Sequence, residues 1–92
     1  MTPRERVSQP AIRIRGRIFS GISHKVAVHA AALALDLMPA TVWERMRAGF
    51  TTTRGRFVSR AEGWQVAKRA GQLRLDRSLP GVTPELNSED VQ

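Results

Sequence analysis

Ninety-two residues with 41% hydrophobic and 25% charged side chains make one small globular domain, neither a disordered segment nor a multi-domain assembly. The chain has no cysteine, which excludes disulfides, thiolate metal sites and a cysteine nucleophile, and no apolar run of roughly 18 residues that would span a membrane. Its net charge is +7, yet all 15 basic residues stand at or before Arg77, so residues 1–80 set 15 basic against 5 acidic groups and draw anionic partners.

The opening "MTPRERVSQP" is polar and lacks an apolar signal core, which predicts a flexible terminus over residues 1–9 and a cytoplasmic protein. The ordered core is expected over residues 10–74. "AIRIR" alternates apolar and charged residues with the period of a half-buried strand; Gly16 follows, then "RIFS". A short apolar run, a glycine turn and a second short run predict a β-hairpin. Arginine is a poor first turn residue, because asparagine or aspartate tolerates positive φ better. That predicts a loop of more than two residues and leaves the register open.

Ser20 or Ser23 then caps a helix running to about Met38. Lys25, His29, Ala32 and Asp36 share one narrow stripe of it, and the rest of its circumference is valine, alanine and leucine. A helix apolar nearly all round needs cover on most sides. A domain this small supplies little, so a second subunit is expected to share the task. Pro39 ends that helix, and "PATVWERMRAG" predicts a short second one with Gly49 just past its end.

The peptide "IRGRIFS" at residues 14–20 returns as "TRGRFVS" at residues 53–59. "FTTT" and "RFVS" accordingly predict a second hairpin around Arg54 and Gly55. Ser59 with Glu62 three residues on has capping-box spacing for a helix from Arg60 to about Ala70, stopped by Gly71. Val66, Ala67, Ala70 and Leu73 form its apolar arc, with Trp64 on the margin and Gln72 on the polar side. "RSLPGVTPELNSEDVQ" has turn residues and no period, and residues 75–92 are expected to be an extended tail. Together these predict an α+β fold: two hairpin-helix units forming a small antiparallel sheet packed by helices.

The residues offer little for catalysis. His24 and His29 are five apart and fall on different sides of a helix, so no metal site is expected. Carboxylates are scattered singly, the serines read as caps, and the glycines form neither a phosphate loop nor a dinucleotide fingerprint. A non-enzyme without cofactor is the expectation. Binding fits better: Arg13, Arg15 and Arg17 surround the first turn and Arg54, Arg56 and Arg60 the second, with Phe19, Phe50, Phe57 and Trp64 among them. Arginine forks grip phosphate and an aromatic face stacks on a base. Phe19 and Phe57 are expected in the core, and Phe50, at the mouth of a hairpin, is the aromatic least committed to it.

"GFTTTRGRFVSRAEGWQVAKRAGQL" at residues 49–73, "AIRIRGRIFSGISH" at 11–24 and "LNSEDV" at 86–91 resemble segments of small phage-encoded proteins, and in particular the Thoeris anti-defence proteins of the sponge type. What the resemblance implies is capture of a cyclic nucleotide, such as a cyclic ADP-ribose isomer, in the host cytoplasm and without cleavage. It implies that Phe50 stacks on the nucleotide, that Ser59 and Arg60 contact it, and that His24 and Arg77 add polar contacts; Ser23 stands where the group has arginine. Arg56, at the second turn, completes the expected ligand-binding set. The +10 body leaves open a nucleic-acid-binding module, and a basic face leaves open a protein-binding inhibitor of a host defence complex such as CRISPR.

Overall fold

The computed structural model describes residues 4–77 and 79–91. Residues 1–3 of the expected flexible terminus, and residues 78 and 92 of the expected tail, lie outside it. The elements run β1 (Val7–Ile14), β2 (Arg17–Ser20), α1 (His24–Leu35), α2 (Pro39–Arg45), β3 (Arg47–Thr52), β4 (Phe57–Ser59) and α3 (Arg60–Arg69), with one 3-10 turn at Ser88–Asp90. This is the expected α+β fold.

The two hairpins join through their first strands, giving an antiparallel sheet in the order β2-β1-β3-β4. Alternation along the strands sends Phe19, Ile12, Phe50 and Val58 to the face that the helices cover, and cross-strand pairing keeps them in line: Ile12 opposes Phe19, and Phe50 opposes Val58. Two clusters build the core along that face. Ile12, Ile14, Ala27, Val28, Ala31, Ala32 and Val42 pack under α1 and α2. Val7, Phe50, Val58, Trp64, Val66, Ala67 and Leu86 pack under α3. Each repeat of the heptapeptide therefore marks a hairpin with a core cluster of its own.

Several boundaries differ from expectation. The first turn has only two loop residues, because Arg15 (φ 52°) and Gly16 (φ 73°) both adopt the left-handed region that a tight hairpin requires. The second loop is longer, spanning residues 53–56, and Thr52 N–H donates across it to the Arg56 carbonyl at 3.0 Å. Strand β3 begins at Arg47, so Gly49 lies inside a strand and not past a helix end. A Cβ on Gly49 would come within 2.1 Å of the Val58 carbonyl and 2.6 Å of the Phe57 ring. That close approach, not helix termination, is why glycine stands there.

Helix α1 stops at Leu35, three residues early, with Asp36 as its left-handed cap. Ser23 is its N-cap, accepting from the Val26 N–H at 3.1 Å, and Ser59 caps α3 by accepting from the Glu62 N–H. The Glu62 side chain does not return the bond, since Arg56 holds it at 2.9 Å. No single helix among the described residues is long and apolar enough to cross a membrane, and α1 and α2 meet at 108°.

Both ends are tied down more than their composition suggests. Residues 7–9 belong to β1, and the side-chain amide of Gln72 mimics a strand: Oε1 accepts from Val7 N–H at 2.7 Å and Nε2 donates to the Val7 carbonyl at 3.0 Å. Gln72 is consequently buried, not on the polar face of α3. In the tail, Leu86 is fully buried in the α3 cluster and Val91 bridges back to Leu73. The irregular backbone was expected, its docking was not.

Candidate anion-binding site

The second turn is neutralised by the protein itself. Arg56 forks onto Glu5, with Nε to Oε2 at 2.8 Å and Nη2 to Oε1 at 2.9 Å, and its third nitrogen meets Glu62. The Arg56 hydrogen bonds, with help from the Thr52 hydroxyl, lower the Glu5 carboxyl from 4.5 to about 2, and the same contacts raise the Arg56 guanidinium. Arg54 lines a shallow cleft of about 110 Å³ that Glu5 shares.

The remaining expected ligand contacts are also engaged. Phe50 is only 1% exposed, on the helix-covered face in one cluster with Trp64, and its ring meets that of His24 edge to face, the centroids 5.2 Å apart. It cannot offer a face to a nucleotide, and the expectation of a ring least committed to the core is corrected: paired with Val58, it lies in the core. Phe57, expected in the core, is instead partly exposed on the opposite face, its ring lying against Gly49. His24 bonds the Gly49 carbonyl at 2.8 Å through Nε2, which must therefore carry the proton. Ser59 is spent as a cap.

Arg60 clamps the tail through the Leu86 carbonyl, Asn87 Oδ1 and the Glu85 carboxylate. Arg77 lies 4.8 Å over the Trp64 ring and bonds Asp90. Burial works against ionisation of Asp90, but hydrogen bonds from Arg77 and from the Asn87 N–H hold its pKa below the ordinary value. Trp64 Nε1 is buried with no hydrogen-bond partner among the described residues.

His24 and Arg60 do share a cleft of about 290 Å³, with Trp43, Ala48, Leu86, Asn87, Ser88 and Glu89. Ser59 and Arg60 line its neighbour of about 410 Å³, with Arg47, Ala48, Phe57, Ala61 and Glu85. Carboxylates at Glu89 and Glu85 offset the positive charge of both.

The first turn differs. Arg13, Arg15, Arg45 and Arg47 line one cleft of about 300 Å³ with Ile14 and Gly16. Arg13 and Arg47 face each other directly across β1 and β3. All five ion pairs among the described residues lie elsewhere, on Arg56, Arg60, Lys68 and Arg77, whereas the side chains of Arg13, Arg15, Arg45 and Arg47 have no hydrogen-bond or ion-pair partner among the described residues. Arg17, just past the turn, lies 5.1 Å over the Phe19 ring. Such a cleft attracts anions strongly. Its lining among the described residues is otherwise Ile14 and Gly16, with no carboxylate or imidazole. The repeat pointed to Arg13 and Arg15. Arg45 and Arg47 escaped notice because only the pairing of β1 with β3 brings them to the same place.

The sequence profile described as phage T4 y16D protein matches residues 6–91. No curated protein and no solved structure matches the chain significantly.

Proposed function

The chain belongs to the phage T4 y16D protein family, and we propose that this phage protein holds a phosphate-bearing ligand of the nucleotide class at the arginine cleft without transforming it. One observation carries the reading: four guanidinium groups converge on a single cleft with no carboxylate to neutralise them. Like charges gathered on one exposed surface repel one another and set up a positive field that favours a partner of opposite sign. The finer role, capture of a cyclic nucleotide signal in the host cytoplasm as an anti-defence sponge, draws on the resemblance to the Thoeris sponges; its contacts move from Phe50 and the second turn to the first turn.

The reading includes self-association. Val26, Ala30 and Leu33 of α1 are exposed at helical spacing, and Leu33 is 86% exposed. This apolar stripe supports a second copy as its cover.

Isothermal titration of the purified protein with nucleoside diphosphates and cyclic ADP-ribose isomers tests the reading. The wild type is expected to bind at least one and to release it chemically unchanged. Arg13→Ala and Arg47→Ala are each expected to weaken binding at least tenfold, the loss of one charge-assisted phosphate contact of about 1.4 kcal/mol or more. Phosphate-bearing ligands that bind equally well to both variants would refute it.

A further inference from the structure

The number and spread of the guanidinium groups say more about the ligand than its sign. Resting on the reading above, we infer that the arginine cleft prefers an oligonucleotide chain of about four phosphates over a mononucleotide or a single diphosphate.

Two local penalties show that the charges are held together against the preference of the backbone. Arg13 and Arg47 are directly opposed on adjacent strands, where like charges repel. Arg15 adopts φ 52° in a tight turn that glycine, asparagine or aspartate would form with less strain. A hairpin needed only as a hairpin would carry neither feature. Arg15 comes from the turn, Arg13 and Arg47 from neighbouring strands roughly 5 Å apart, and Arg45 from the end of α2. Groups rooted at four separate positions can each take a phosphate of their own, which the two phosphorus centres of a diphosphate cannot supply.

A chain also has somewhere to continue. Arg47 lines both the arginine cleft and the neighbouring cleft of about 410 Å³, in which Arg60 is paired with Glu85. Strand β4 ends at Ser59, opposite Gly49, so β3 has an open edge over Arg47 and Ala48. The alternation of the ladder, read from Thr52 N–H pointing to the β4 side, turns the Ala48 N–H and C=O toward that open edge. Beside it, the partly exposed Phe57 ring offers a base a flat surface.

Fluorescence anisotropy with a labelled 5′-phosphorylated tetrathymidylate and a dodecathymidylate, across a salt series, tests this. For a single strand the slope of log affinity against log salt is about −0.7 per phosphate contact, so four contacts give about −3 and roughly a fifty-fold loss between 50 and 200 mM salt. Arg13→Ala and Arg47→Ala are each expected to reduce the slope by about 0.7. These side chains are exposed, so circular dichroism is expected to be unchanged. Equal slopes for both lengths support a short free oligonucleotide as the ligand, and a steeper slope for the dodecamer supports a long strand; either supports the oligonucleotide class. A nucleoside diphosphate that binds as tightly as the tetranucleotide overturns the inference and leaves phosphate binding standing. Oligonucleotide binding with a slope unaltered in both variants overturns it too. If no phosphate compound binds, the inference and the reading beneath it fall together.

Discussion

Phe50 illustrates how a side chain placed for packing differs from one placed for recognition. It is 1% exposed, and its neighbours Val58, Trp64, Leu86 and Gly63 close around it. Even glycine at position 63 is fitted to it, since a Cβ there would lie 3.3 Å from the ring. Truncation removes a buried ring and leaves a cavity at the junction of sheet, helix and tail. Phe50→Ala is expected to cost about 3–5 kcal/mol and to lower Tm by about 12 °C or more, read by thermal denaturation. The folded fraction of that variant is expected to keep its affinity for phosphate ligands. A stable Phe50→Ala protein that had lost only ligand would restore the stacking role. The residues with free guanidinium groups behave oppositely: removing Arg13 or Arg47 relieves repulsion and should leave Tm unchanged or raise it.

Among the elements, the repeated peptide was informative because its constraints are local. Glycine at the turns, serine ahead of α3 and the apolar arc of Val66 and Ala67 each act within a few residues, and the structure follows them. What escaped were features decided over long separations. Ser8, Gln9 and Pro10 hide the strand character of Val7–Ile14, which pairing with β3 across an irregularity between Val7 and Gln9, and the Gln72 amide, bring out. Gly49 resembles a helix stop until Phe57 and Val58 are seen packed against it. Arg56 resembles a ligand contact until Glu5, 51 residues away, is found beneath it. This last pairing predicts a pH dependence. The Glu5 carboxyl is lowered to about 2 in the fold from 4.5, so its contribution to stability is complete above pH 4.5 and disappears as pH falls toward 2. Asp90, also lowered, adds to the same acid sensitivity. Tm of the wild type is expected to drop across that window, and Glu5→Gln to start lower at neutral pH and drop less. Parallel curves would show that the Arg56 fork does not stabilise the fold.

At the scale of the molecule, charge and hydrophobicity are segregated in ways that two measurements separate. The ion-paired carboxylates hold Arg56, Arg60, Lys68 and Arg77, while the arginines around the turn between β1 and β2 are left unpaired among the described residues. Helix α1 leaves Val26, Ala30 and Leu33 in water. If a second copy covers that stripe, association must bring together two chains of net charge +7, so screening by salt favours it. Ligand binding through phosphates responds in the opposite sense, weakening as salt rises. Multi-angle light scattering is therefore expected to show a dimer whose population increases between low and moderate salt, the range in which oligonucleotide is released. Leu33→Glu, a substitution at an 86% exposed position, is expected to give a monomer with unchanged circular dichroism, because nothing in its own subunit covers that side chain. It should keep the arginine cleft and its salt-dependent ligand binding. A wild type that stays monomeric at millimolar concentration and high salt would remove the second copy, and the apolar stripe on α1 would then be uncovered in the functioning protein.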